Sequence, residues 1–254
     1  MIDLHCHLMP AVDDGSRSVG QSIAVLREMV RHGVSAVCLT PHQLASQLNR
    51  GLPAAHDRAY QALMAEAPAT PAIYRGLEVM LDGPLDPAVA SSRRGTLGGS
   101  RYILVEFPRM VSRAAAIKAI SDVVAVGLVP LVAHPERYHC CSPDTVHTWR
   151  ALVARMQVDA TTLVSPRPRG GRARELITHG LADIIAADNH GDGRIISTGV
   201  SLLLERGGDM EAELLVTLNP RRILEDGDLL PVPPLLLHDT WWRRIRSVFE
   251  QQGG

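Results

Sequence analysis

The feature that most constrains this chain is an alternation of short, β-branched apolar runs with helix-spaced stretches. Extended runs are expected at residues 2–5, 35–39, 72–79, 102–107, 129–133, 156–161 and 182–187. The clearest intervening helix follows Asp14-Gly15. There Ser18 and Gln21 make a capping-box pattern, and Val19, Ile23, Leu26 and Val30 form an apolar face ending at Gly33. Further helical stretches fall at 54–67, 112–126, 143–155, 171–179 and 211–217. Repeated strand–helix units imply a parallel sheet, open or closed into a barrel, so the fold class is α/β.

No biased linker divides the 254 residues, and 46% are hydrophobic, enough for one sizeable core. A single domain over 1–254 is expected, with 226–254 as a C-terminal extension either packed on it or flexible. Within it, 240–251 has the apolar spacing of an amphipathic helix (Trp241, Trp242, Ile245, Val248, Phe249). The strongest loop signal is Ser165-Pro166-Arg167-Pro168-Arg169-Gly170-Gly171-Arg172.

Charge and composition exclude several classes. A formal net charge of -1 gives no global field to attract nucleic acid or an acidic membrane. No apolar run reaches the roughly 18 residues of a membrane span. Met1-Ile2-Asp3-Leu4-His5 has neither basic nor apolar leader character, so a cytoplasmic location is expected. Cys6, Cys38, Cys140 and Cys141 form no CxxC pair, and none precedes an arginine at the spacing of a thiolate phosphatase loop. Lys118 is the only lysine and lies mid-way along an Ala-rich helical stretch, a poor place for Schiff-base or metal-bridging chemistry.

The polar residues sit where chemistry needs them. The first strand ends in His5-Cys6-His7, where residues i and i+2 share a face and Cys6 points away. Later strands end in Thr40-Pro41-His42, Gly76-Leu77-Glu78, Val105-Glu106-Phe107-Pro108, Ala133-His134-Pro135-Glu136-Arg137 and Ala187-Asp188-Asn189-His190. In a parallel barrel those ends converge on one rim. Each alone reads as a hydrogen-bonded loop residue. Together they would bury several charges that only bound cations compensate. A donor set of imidazole and carboxylate without thiolate suits Mn, Fe or Zn, and Glu78 and Glu106 on neighbouring strands suit more than one ion.

These motifs, with Asp13-Asp14-Gly15 and Asn219-Pro220-Arg221-Arg222-Ile223, span roughly residues 1–225. In that order they resemble the PHP (polymerase and histidinol phosphatase) superfamily, and within it the capsule-associated bacterial tyrosine phosphatases of the CpsB/YwqE type. The resemblance implies a distorted TIM-like (β/α)7 barrel holding three divalent metal ions, with Mn expected and Fe, Zn or Mg as alternatives. Carried over by position, His5, His7, Glu78 and Asp188 would hold the first ion. Glu78, Glu106 and His134 would hold the second, and Asp14, His42 and His190 the third, with Asp13 as the competitor for Asp14's place. Arg137 would bind the substrate phosphate. The family's Arg-Pro-Pro loop is replaced by Gly191-Asp192-Gly193-Arg194-Ile195-Ile196, where Arg194 is the candidate for that arginine's role. The family's Gln-Val-Asn appears as Gln157-Val158-Asp159.

The activity so implied is metal-dependent phosphomonoester hydrolysis, with Asp13 and Asp14 as candidate acids for the leaving group. The implied partner is the phosphotyrosine tail of a bacterial tyrosine kinase of polysaccharide export, with homo-oligomer formation left open. The alternatives are a histidinol-phosphate or other small-molecule phosphatase and, further off, a non-catalytic metal-stabilised binding module. A nuclease fits poorly, because three Trp, four Tyr and two Phe offer little aromatic interleaving. Arg167, Arg169, Arg172 and Arg174 should follow the sixth strand on the same rim. They read either as a recruiter of an acidic phosphorylated tail or as a solvated basic loop.

Overall fold

In the computed structural model, which describes residues 1–237, the apolar runs pair in parallel and helices carry the chain from one to the next. The strands are β1 (Ile2–Cys6), β2 (Ala36–Leu39), β3 (His42–Leu44), β4 (Ala72–Arg75), β5 (Glu78–Met80), β6 (Tyr102–Glu106), β7 (Val129–Ala133), β8 (Arg155–Asp159) and β9 (Ile184–Ala186). They form two sheets, ordered β1-β2-β4 and β3-β5-β6-β7-β8-β9.

The two sheets are one wall broken twice. Pro41 has no N–H to offer a ladder, so pairing stops after β2 and resumes in β3. The single strand expected over 72–79 is likewise two, split at Gly76-Leu77. Hydrogen bonds bridge the gap, from Gly76 N to Leu39 O at 2.9 Å and from Glu78 N to Pro41 O at 3.1 Å. A Cβ on Gly76 would stand 2.8 Å from the Leu97 side chain and 3.1 Å from Cys38 Sγ, so the break needs glycine there. A parallel bridge between Cys6 and Asn189 brings β1 beside the end of β9. The result is a distorted (β/α)7 barrel.

Helices follow their expected stretches with shifted ends. Ser18 caps Val19–Arg31 by accepting from Gln21 N, and Ser112 and Ser142 cap Arg113–Ala125 and Pro143–Ala151 in the same way. The expected loop at 165–172 is only half loop, because a helix spans Pro168–Thr178. Proline suits a first helical turn, where its missing N–H costs nothing. The apolar spacing at 240–251 lies outside the described residues. Among the described residues, no helix is long and apolar enough to cross a membrane.

Two apolar cores result. One joins strand residues such as Val37, Val105 and Val158 to the helical residues Leu26, Ile120, Trp149 and Leu176. The other is smaller and fills the barrel interior with Ile2, Leu4, Cys38, Leu104, Leu131 and Ile184, plugged by Leu97 and Ile223. A register shift between Asp3 and Cys6 changes the parity of β1. Leu4 faces the interior, Cys6 joins the outer core, and His5 and His7 face the metal-binding residues described below.

Asp3 closes the wall. Its buried carboxylate accepts from His5 N at 3.2 Å and from Ala187 N, just past β9, at 3.2 and 3.3 Å. Asp3→Ala would leave two buried amides unsatisfied and lower the unfolding free energy of the metal-free protein by about 2–3 kcal/mol. Asp3→Asn, which keeps an acceptor, should lose less. Urea denaturation of both variants checks this, and an Asp3→Ala protein as stable as wild type would contradict it.

Candidate metal centre

Strand termini and the turns beside them bring five imidazoles and four carboxylates to one place. Nε2 of His5 and Nε2 of His7 lie 3.2 Å apart. Glu78 Oε2 stands 3.2 Å from the first and 3.3 Å from the second, and Asp188 Oδ1 stands at the same two distances. These five separations match the spacing of donor atoms around a small divalent cation, whose bonds to nitrogen and oxygen are about 2.0 Å long. Glu78 Oε2 and Asp188 Oδ1 are buried and receive no hydrogen bond. The four residues therefore fit a cation by chemistry and by spacing.

Two further groups adjoin this one. His42 Nδ1 is 3.0 Å from Glu78 Oε2 and 3.2 Å from Glu106 Oε1. Asp14 Oδ1 is 3.5 Å from Nε2 of both His42 and His190, and His7 lies in the same group. His134 reaches the other oxygen of Glu78, with Nε2 2.9 Å from Oε1. All nine residues expected as ligands are thus gathered, with Glu78 shared between the first group and its neighbour. His42 associates with Glu78 and Glu106 as well as with Asp14 and His190, an overlap that spacing in the sequence did not reveal.

The outer atoms of the imidazoles are fixed. Gln157 Oε1 accepts from His134 N at 3.2 Å, so it must also accept from Nδ1 of His5 at 3.0 Å. Asp13 Oδ2 lies 2.7 Å from His7 Nδ1. With both Nδ1 atoms donating outward, the two facing Nε2 atoms present lone pairs to each other, an arrangement that only a shared proton or a cation relieves. Gln157 is the functional residue that reading motif by motif undervalued. Its signal was its parity on β8, which faces it inward beside Ala133.

The adjacent aspartates divide the work. Asp14 is 70% exposed at the mouth of the centre, within reach of two imidazoles. Asp13 instead holds His7 and accepts from the amides of His42 and Gly15, each at 3.0 Å. Burial opposes its ionisation, but the His7 hydrogen bond and charge overcome this and hold the Asp13 carboxyl at about 2. These contacts orient His7 and the turn beside His42, a positioning role for Asp13. Gly15 permits the close turn, since a Cβ there would fall 2.1 Å from His7 O. His134 and Asp188 take left-handed backbone conformations, with φ of 33° and 49°, a strain retained where it aims side chains inward.

Arg137 and Arg194 line the approach. The Arg137 guanidinium pairs with Asp159 and Asp188. Arg194 is held by Asp192, with Nε 2.9 Å from Oδ2, and its Nη1 stands 3.5 Å from Asp188 Oδ2. Both arginines therefore converge on the Asp188 oxygen that faces away from His5 and His7. In front of Arg137 opens a cavity of 350 Å³ lined by Asp14, His42, Glu106, Arg109, Arg137 and Arg169, among others, whereas Arg194 lines a neighbouring cavity. Lys118 is remote, paired with Asp122 on an exposed helix.

The metal-free cluster stores protons. Burial would lower His42, but Glu106 and Glu78 raise it to about 10, and His7 is raised well above its ordinary value against the same opposition. Burial would raise Glu78 and Asp188, yet the surrounding imidazoles hold both carboxyls below their usual range. A cation must displace the imidazole protons, and these become easier to displace as pH rises. Apparent metal affinity should therefore increase between about pH 6 and 8, by up to about tenfold per pH unit for each proton released. Metal titration in weak buffer should acidify the solution, and pH-independent affinity without proton release would contradict this.

Comparison with known proteins follows the geometry. The profile of the family described as "Capsular polysaccharide synthesis, CpsB/CapC" matches residues 1–225. The chain is 27% identical over 243 residues to the tyrosine-protein phosphatase YwqE of Bacillus subtilis, covering 92% of this chain and 95% of that protein. It is 26% identical over 241 residues to the tyrosine-protein phosphatase CpsB of Streptococcus pneumoniae, covering 89% and 99%. A crystal structure from work on those two proteins, described as unique metal-dependent tyrosine phosphatases, superposes with a TM-score of 0.76 at 25% identity, covering 92% of this chain and 98% of that one. With its profile matched from the first residue through the helix Asn219–Leu224, the chain belongs to the CpsB/CapC family of capsular polysaccharide synthesis.

Proposed function

We propose that this protein is a metal-dependent phosphomonoester hydrolase acting on phosphotyrosine in a protein. The observation that carries the reading is a cluster of cation ligands beside two arginines that share one oxygen of Asp188, Arg137 lining the open cavity over the cluster and Arg194 the cavity next to it. In this reading His5, His7, Glu78 and Asp188 hold one ion, Glu78 and Glu106 with His134 a second, and Asp14, His42 and His190 a third. Manganese is the ion proposed, on resemblance to the family. The relatives' names supply the phosphotyrosine specificity.

Bound divalent cations supply Lewis acidity and make a water acidic enough to serve as nucleophile near neutral pH. The chain's own groups do the rest. Arg137 and Arg194 offer forked donors to phosphate oxygens and balance charge that builds on them. An incoming phosphate competes with Asp159 and Asp188 for Arg137 and with Asp192 and Asp188 for Arg194, so the carboxylates hold the arginines in position until it arrives. Gln157 and Asp13 keep His5 and His7 oriented throughout. A tyrosine leaving group, with a pKa of roughly 10, asks less of an acid than a serine alkoxide does. We read Asp13 and Asp14 as alternative proton donors to it, Asp14 serving only in a form that does not ligate the third ion. In a capsule-synthesis setting the protein substrate proposed is the phosphorylated tyrosine tail of a polysaccharide-export kinase.

Phosphate release from phosphotyrosine peptides, phosphoserine peptides and histidinol phosphate tests the reading, with chelator-stripped and Mn-loaded enzyme compared. Mn-dependent turnover favouring phosphotyrosine is expected, with a loss of about a thousandfold in His5→Ala. A preference for histidinol phosphate would keep the hydrolase and replace its substrate. No turnover despite bound metal would overturn the phosphatase reading.

A further inference from the structure

The four arginines that follow β8 separate into two pairs. Arg172 Nε donates to Glu136 O at 2.8 Å, and Arg174 Nη1 donates to Leu163 O and Ser165 O, both at 2.9 Å. These two tie the segment to its surroundings. The guanidinium groups of Arg167 and Arg169 make no hydrogen bond or ion pair among the described residues, and both line a second cavity of 250 Å³. Thr161, Thr162 and Ser165 contribute hydroxyls to its wall. Its one carboxylate, Asp159, is already engaged by Arg137 and by the Thr161 and Thr162 amides. Arg194, held by Asp192 and Asp188, also lines this cavity, while Arg137 and Arg169 line both it and the one in front of the metal-ligand cluster, so the two adjoin.

The segment is built to hold that shape. Pro166 and Pro168 flank Arg167, whose backbone is extended at φ -71° and ψ 162°. Gly170 lets the helix start lie against Ser165, since a Cβ there would fall 2.0 Å from Ser165 O. Two unpaired cations on a restrained backbone lose little freedom when an anion arrives.

We propose that this cavity is an anion subsite, in which Arg167 and Arg169 bind a second negative group carried by the peptide close to its reactive phosphotyrosine. The group is a side-chain carboxylate or another phosphate, both of which a guanidinium fork accepts. Arg167 and Arg169 are thus specificity-determining residues. The identity of the hydrolysed residue rests on the phosphatase reading, whereas the binding of the flanking anion does not.

Peptides with a non-hydrolysable phosphotyrosine mimic and a glutamate, a second phosphotyrosine or a glutamine at each of three positions on either side test this. Their binding to the metal-free protein is read by fluorescence anisotropy. Acid-flanked peptides should bind about tenfold more tightly than glutamine-flanked ones at the favoured position. Arg167→Ala/Arg169→Ala should reduce that ratio to near one, and added salt should weaken it. Whether glutamate or phosphate gives the larger ratio identifies the natural group. Equal binding of acidic and neutral peptides, or an undiminished ratio in the double variant, would overturn the subsite. In the corresponding hydrolysable series, a retained binding ratio without phosphate release would instead count against the phosphatase reading.

Discussion

One buried carboxylate organises this molecule. Glu78, at the start of β5, faces His5, His7 and His42 with one oxygen and His134 with the other, all between 2.9 and 3.3 Å. A charged group so far from water is costly unless opposite charge surrounds it, and five imidazoles with four carboxylates form a balanced set only when protons or cations occupy the centre. Cations would satisfy the facing imidazole lone pairs and the carboxylate oxygens that receive no hydrogen bond. The rest of the barrel can be understood as what brings these groups within reach of one another.

That requirement explains the irregularities of the wall. The register shift in β1 places Leu4 in the interior and still directs both histidines to the centre. Pro41 and Gly76 break two strands where His42 and Glu78 must begin new ones. Asp3 ties β1 to the chain just past β9, next to the Asp188 that completes the first group. Gly15 allows the Asp13-Asp14 turn to close over His7, and left-handed backbone at His134 and Asp188 points those side chains inward. Each of these departures lies at or beside a residue of the centre, as expected where function overrides local preference.

Much of this was legible in the sequence because strand parity and strand ends are local properties. His5 and His7 flank an outward Cys6, and Glu106, His134 and Asp188 each follow a short apolar run. What was not legible depends on distant partners. The run 72–79 reads as one strand, and only the neighbouring Pro41 shows why it is two. Asp13 and Asp14 are chemically identical in the sequence, and what separates them is the position of His7 Nδ1 and the His42 amide. Ser165–Arg172 has loop composition, yet Pro168 opens a helix there because Arg172 and Arg174 find backbone carbonyls to bind. For the same reason the four arginines looked equivalent until the structure paired two of them and left two facing a cavity.

The central claim is that this cluster is a cation centre nucleated on Glu78. It is tested most directly by anomalous diffraction at the manganese edge from crystals grown with Mn. The account predicts peaks bounded by His5, His7, Glu78 and Asp188, by Glu78 and Glu106, and by Asp14, His42 and His190, with Glu78 in contact with two of them. No peak within bonding distance of Glu78, in protein that is otherwise folded as described, would contradict it.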